Sequence, residues 1–224
     1  MNYKPGLLTS LFVVVLTWAA TALAWVRLPA GGSYPVHWGL SGTADRYGGK
    51  FEAMALVPLI ILAVVGLFLV MPRIEPRRLH LEESAAAYTA VWVGVVTLLA
   101  AVQGAILLSA FGVILETGFL ISAGVGALLI VVGLAMPHVR SNFLFGIRTP
   151  WTLTSERSWR LTHRLGGWLF AGFGLALIGA ALAGSPMAML WVPMTGVVVL
   201  VLGLFVYSYL IWRTDDRHGP PMAA

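Results

Sequence analysis

Residues 165–212 read LGGWLFAGFGLALIGAALAGSPMAMLWVPMTGVVVLVLGLFVYSYLIW, with no charged side chain in the stretch. A helix that crosses a bilayer needs about 20 apolar residues, so this run is too long for one span. Gly184-Ser185-Pro186 interrupts it, where glycine relaxes the backbone limits and proline cannot continue an interior helix ladder. Two helices joined by a tight turn follow. Uncharged runs at 5–26, 53–72, 84–115 and 117–139 add four more. The sequence therefore predicts an all-α, polytopic membrane protein with six transmembrane helices, at about 6–28, 53–72, 86–110, 117–137, 164–184 and 188–212.

Composition agrees. The chain is 59% hydrophobic and 10% charged, against the roughly 25% charged content of a soluble domain. Glycines recur inside the runs, among them Gly126, Gly133, Gly174 and Gly196, and small residues let helices approach closely in lipid. The first run carries Lys4 before its apolar core, with Ala22-Leu23-Ala24 resembling a signal-peptide cleavage site. It exceeds a signal core of about 7–15 residues, and a retained helix gives an even count with both termini on one side.

Lys and Arg near helix ends are retained in the cytoplasm. Arg73, Arg77 and Arg78 follow the second run, Arg140, Arg148, Arg157, Arg160 and Arg164 lie between the fourth and fifth, and Arg213 and Arg217 follow the sixth. An N-in, C-in arrangement is expected in a bacterial cytoplasmic (inner) membrane, with the first loop outside despite Arg46 and Lys50. The net charge of +5 then reads as a topology signal and not as nucleic-acid binding. With no cysteine, disulfides and thiolate chemistry are excluded.

Two connections are more than linkers. The first, 29–52, holds Tyr34-Pro35-Val36-His37-Trp38, then Gly42-Thr43-Ala44-Asp45-Arg46-Tyr47, then Lys50. Trp38, Tyr47 and Phe51 suit an aromatic belt at headgroup depth. Asp45 can cap a turn and pair with Arg46 or Lys50; alternatively His37, Trp38, Asp45, Tyr47 and Lys50 form a polar and aromatic cradle for a peptide. The other connection, 138–163, contains Asn142, Gly146, Arg148, Thr149, Pro150, Trp151, Glu156, Trp159, Arg160 and His163. Asn142 can satisfy nearby backbone groups, Gly146 can take a positive φ, and Pro150 stiffens the entry to Trp151. Thr154 or Ser155 can cap a helix whose first turn holds Glu156, with Glu156 and Arg160 spaced to support each other. Arg157, Arg160 and Arg164 form a basic stripe opposite Trp159, Thr162 and Gly166, suited to anionic lipid. Arg148 either holds the loop by bonding helix-end carbonyls or presents its donor fork to a partner carboxylate.

Asn142, Gly146-Ile147-Arg148-Thr149, Ser155-Glu156 and Trp159 resemble the pattern that the SdpI family of bacterial membrane proteins carries between two late transmembrane helices. Leu28-Pro29, Pro35-Val36-His37-Trp38, Gly42 to Asp45, and Lys50 resemble the small extracytoplasmic domain that often precedes it, although Ala44 stands where a proline often precedes the Asp. The resemblance implies an immunity protein against a secreted, membrane-active peptide toxin, with signalling by capture of a cytoplasmic transcriptional repressor. It divides the chain into a first helix pair, 1–72, and an SdpI-like four-helix region, 73–224, within one membrane domain. The toxin is then expected at the outer loop and the repressor at the inner one.

No catalytic residue or cofactor is expected. His80, His138 and His163 all face the cytoplasm in this topology, but their spacing matches no compact metal motif; no Gly-x-Ser-x-Gly elbow or P-loop is present. His138 and His163 read as interfacial histidines. Gln103 is the main polar side chain in mid-span, and few acidic groups lie deep in the membrane, which disfavours an ion-coupled carrier. A small-solute or peptide transporter and a metal-dependent membrane enzyme are the alternatives.

Overall fold

The computed structural model describes residues 3–39 and 42–215; Arg217 lies outside them. Its elements run α1 (Lys4–Arg27), β1 (Tyr34–Trp38), β2 (Ala44–Gly48), α2 (Lys50–Ile74), α3 (Arg78–Glu83), α4 (Ala85–Ala110), α5 (Thr117–Ala135, continued by a 3-10 turn Met136–His138), α6 (Pro150–Thr154), α7 (Glu156–Leu182) and α8 (Pro186–Arg213). Six helices are long and apolar enough to cross a membrane. At 1.5 Å per residue, spans of 22 to 28 residues reach about 33–42 Å, enough to cross the ~30 Å hydrocarbon core. This is a multi-pass cell-membrane protein.

The break within residues 165–212 falls where chain chemistry places it. α7 ends at Leu182, Gly184 takes φ +60°, the Ser185 side chain accepts from the Ala188 N–H, and Pro186 opens α8. That proline occupies a position whose N–H would lack a helical partner anyway.

The most extensive helix pairing is between α5 and α7, and four glycines permit it. A Cβ on Gly133 would lie 2.6 Å from the Gly167 carbonyl, and one on Gly174 would lie 2.4 Å from that of Gly126. Backbone against backbone leaves no room for a methyl group, which is how small residues drive association in lipid. α8 by contrast leaves most of its apolar residues exposed, including Val197, Val198, Val201 and Leu202; in a membrane these face lipid.

Between α1, α2 and α4 the interior is aromatic. Phe68 stacks on Trp92 at 5.5 Å, Tyr88 meets both edge-on, and the Tyr88 hydroxyl donates to the Phe68 carbonyl at 2.6 Å. A second cluster of Ala24, Tyr34, Ala53, Met54, Ile106 and Leu107 seats the β1–β2 hairpin on the ends of these three helices. Within the otherwise helical fold, the first connection forms a two-stranded hairpin. Gln103 belongs to the same end: its Nε2 reaches the Thr21 hydroxyl and the Ala53 and Met54 carbonyls at 3.2–3.4 Å, within the first turn of α2. It ties three helices together near the hairpin and does not sit in mid-span.

Candidate functional site

Two organised regions lie at opposite ends of the bundle. At the hairpin end, β1 and β2 pair antiparallel with an irregular register that sets His37 against Arg46. The His37 Nδ1 lies 2.5 Å from Asp45 Oδ1 across the strands, and their side chains are 62% and 49% exposed. The expected pairing of Asp45 with Arg46 or Lys50 does not form. Neighbours in a strand point to opposite faces, so Arg46 instead reaches Glu52 at 2.7 Å. Lys50 donates to the Leu28 carbonyl at 2.6 Å and lies 5.1 Å above the Trp25 ring. It staples the hairpin stem to the end of α1.

A cleft of about 740 Å³ opens beside the His37–Asp45 pair, lined also by Trp38, Gly39, Gly118, Ile121, Ser122 and Met189. An imidazole and a carboxylate on one wall and apolar side chains from α5 and α8 on the other make it amphipathic. Tyr47 is absent from this cleft. It lines a second one, of about 420 Å³, with Trp38, Thr43 and the turn Gly112–Thr117. The hairpin thus brings His37, Trp38 and Asp45 together, sets Tyr47 on its far side, and uses Lys50 as a brace.

At the opposite, basic end, the connection before α7 is a hydrogen-bonded loop. Asn142 is fully buried; its Oδ1 accepts the N–H groups of Leu144 and Phe145 at 3.0 and 2.6 Å, and its Nδ2 donates to the Arg140 carbonyl at 2.8 Å. Gly146 takes φ +113°, and a Cβ there would lie 2.4 Å from His163 Nε2. The Ile147 N–H donates to that nitrogen at 3.0 Å, and His163 Nδ1 lies 2.9 Å from the Trp159 carbonyl. His163 is therefore neutral and carries its proton on Nδ1, since Nε2 must accept. It is 1% exposed; Trp159 stacks on it at 4.0 Å and donates its indole N–H to the Val139 carbonyl at 2.7 Å.

Thr149 and Thr152 form a capping box around Pro150 and Trp151, and the Thr149 hydroxyl reaches Ser208 of α8 at 3.0 Å. Trp151 packs against Phe205 and Tyr209. Ser155, not Thr154, caps α7 by accepting the Ser158 N–H. The Glu156–Arg160 pair is not formed: one Glu156 oxygen is enclosed without a hydrogen-bond partner, while Arg160 is exposed. Arg157, Arg160 and Arg164 do lie on the exposed face, with Trp159, Thr162 and Gly166 buried. Arg148 is exposed, and its Nη1 donates to the Phe143 carbonyl at 2.5 Å, a carbonyl within the loop and not at a helix end.

Sequence reasoning missed the clamp on this loop. Glu75, 2% exposed, accepts the N–H groups of Arg77 at 2.9 Å and Phe143 at 3.1 Å. Arg77 donates to the Ser141 hydroxyl and lies 4.5 Å from the Phe143 ring. His80 Nδ1 lies 2.7 Å from the Ser141 carbonyl, and Ser84 accepts the Arg140 N–H at 2.8 Å. The available signal was an acidic residue between Ile74 and Pro76, at the end of an apolar helix.

The three histidines do not converge. His80, His138 and His163 each lie against a different backbone carbonyl, of Ser141, Leu134 and Trp159, and the described residues hold no group of three His, Cys, Asp or Glu able to share a metal ion.

Residues 138–210, which include the whole loop from Asn142 through His163, match the SdpI/YfhL protein family. The chain carries an SdpI-family region. Residues 12–62, spanning most of α1, the hairpin and the first half of α2, match a domain of unknown function (DUF1648). Over 157 residues, 69% of this chain and 71% of the relative, it is 28% identical to the Immunity protein SdpI of Bacillus subtilis (strain 168). No solved structure matches it. In the SdpI-family region the side chains of Asn142, Thr149, Trp159 and His163 all turn inward to hold the loop, and Arg148 and the arginine stripe of α7 face outward.

Proposed function

We propose that this is an immunity protein that protects a bacterial cell from a secreted, membrane-active peptide toxin, and that the toxin is met at the hairpin-end cleft. The observation that carries the reading is the amphipathic cleft itself, with an exposed His37–Asp45 pair facing the apolar wall of Ile121 and Met189, in a chain similar to an immunity protein. A peptide that inserts into membranes offers apolar side chains to that wall and cationic groups to Asp45. The arginine distribution supports placing the cleft outside, with both termini in the cytoplasm.

The resemblance also supports a second task, capture of a cytoplasmic transcriptional repressor at the inner loop. Phe143, 40% exposed with Arg77 beside its ring, and Arg148, whose Nη1 donates to the Phe143 carbonyl, lie on the exposed side of this loop and offer a partner one aromatic ring and one guanidinium. The rival readings find less support. The Gln103 Nε2 is engaged between helices, and the histidines of a metal enzyme stand apart among the described residues.

The reading is tested by expressing the chain in toxin-sensitive bacteria and challenging them with the culture supernatant of the producing strain. Survival above that of cells with an empty vector is the expected result; equal killing at verified expression overturns the reading.

A further inference from the structure

The exposed face of α7 changes character along its length. Arg157, Arg160 and Arg164 are followed on the same face, in steps of four, by Trp168, Gly172 and Ala176, a spacing that keeps to one side of a helix. Trp168 is 75% exposed. Past Arg164 this face borders a groove of about 400 Å³ against α8, walled by Trp168, Phe173, Val192, Thr195 and Val199. Gly172 leaves it open, since a Cβ there meets nothing within 4 Å. From Arg164 to Ala176 the helix rises about 18 Å, slightly more than half of a ~30 Å hydrocarbon core.

The charges above the groove lack internal partners. The ion pairs of other described arginines are Arg46–Glu52 and Arg140–Glu83, and Arg157 donates to the Thr214 carbonyl, whereas Arg160 and Arg164 form no ion pair among the described residues, the Glu156 carboxylate one turn before Arg160 not reaching it. Guanidinium forks match phosphate oxygens. Two uncompensated positive charges, an indole one turn deeper and an apolar groove one leaflet long together describe the outline of a lipid.

We propose that this face binds an anionic phospholipid, with its phosphate on Arg160 and Arg164, its glycerol region beside Trp168 and one acyl chain in the α7–α8 groove. Diffuse attraction to a charged surface requires only the arginines; a site also requires the groove. The inference is independent of the toxin reading.

The test uses the purified full chain in detergent, incubated with equal amounts of phosphatidylglycerol and phosphatidylcholine, with retained lipid read by native mass spectrometry. Phosphatidylglycerol is retained preferentially. The double variant Arg160→Gln, Arg164→Gln lowers that retention about 25-fold, about fivefold per arginine, whereas Arg73→Gln, at the end of α2, leaves it unchanged. Gly172→Phe fills the groove and also lowers retention, whereas Gly66→Phe, at another open position, does not; Gly172→Leu serves if the larger side chain lowers the melting temperature. Equal retention of both lipids, or no effect of the double arginine variant, overturns the proposal. Loss with the arginine variant but not with groove-filling variants reduces the contact to surface electrostatics and overturns the site.

Discussion

The Ile147 N–H donates to His163 Nε2 at 3.0 Å, so the loop between the fourth and fifth spanning helices is fixed to the buried face of the fifth. The imidazole is the hinge of that arrangement. Gly146 makes room for it: its positive φ turns the chain, and its missing Cβ lets the backbone approach the ring. Gly146→Ala therefore imposes both left-handed strain and a steric clash, together about 2–4 kcal/mol. The check is the melting temperature in detergent beside Gly49→Ala, where a Cβ meets open space and little change is expected.

Glu75 ties the preceding connection to the same loop through the N–H groups of Arg77 and Phe143. Removing its acceptors in Glu75→Ala leaves partly buried donors unmet, at a cost of about 1 kcal/mol. Glu75→Gln keeps one oxygen and falls between the two. Limited proteolysis of the loop, with cleavage fastest in Glu75→Ala, reports the effect locally.

Packing of α5 on α7 gives a third expectation. Gly133→Ala and Gly174→Ala each push a methyl group to within 2.6 Å of a facing carbonyl, and overpacking of this kind costs about 1–3 kcal/mol. Gly179→Ala, also on α7, meets nothing. The first two variants should lose several degrees of melting temperature while the third matches the parent; equal behaviour of all three would remove close glycine contact as the cause of this pairing.

Topology is tested by reporters. Fusions after Gly32 and Ser185 should report the outside, and those after Arg78, Ser155 and Ala224 the cytoplasm, because basic residues cluster at the latter connections. An outside signal at Ser155 would place the SdpI-family loop where no cytoplasmic partner can reach it.

The six spans were legible because uncharged runs and a Gly-Ser-Pro break are local properties. The two faces of α7 were legible for a similar reason, since helical periodicity alone separates Arg157, Arg160 and Arg164 from Trp159, Thr162 and Gly166. Pairings across the fold were not. Asp45 stands next to Arg46 in sequence, yet strand alternation sends their side chains apart and the hairpin brings His37 to the carboxylate. Glu75 and Phe143 lie 68 positions apart, and nothing in either neighbourhood announces the contact. The burial of His163 arises from the loop folded over it, through Gly146 and Ile147, a contact that its own sequence neighbourhood does not announce.

The most direct measurement is survival of toxin-challenged cells expressing His37→Ala or Asp45→Asn, with membrane abundance and melting temperature matched to the parent. The hairpin pair is exposed and lies away from the α5–α7 packing, so both variants should remain folded in the membrane. Loss of protection at unchanged abundance and melting is the result expected if the cleft meets the toxin. Full protection by both variants would contradict that assignment.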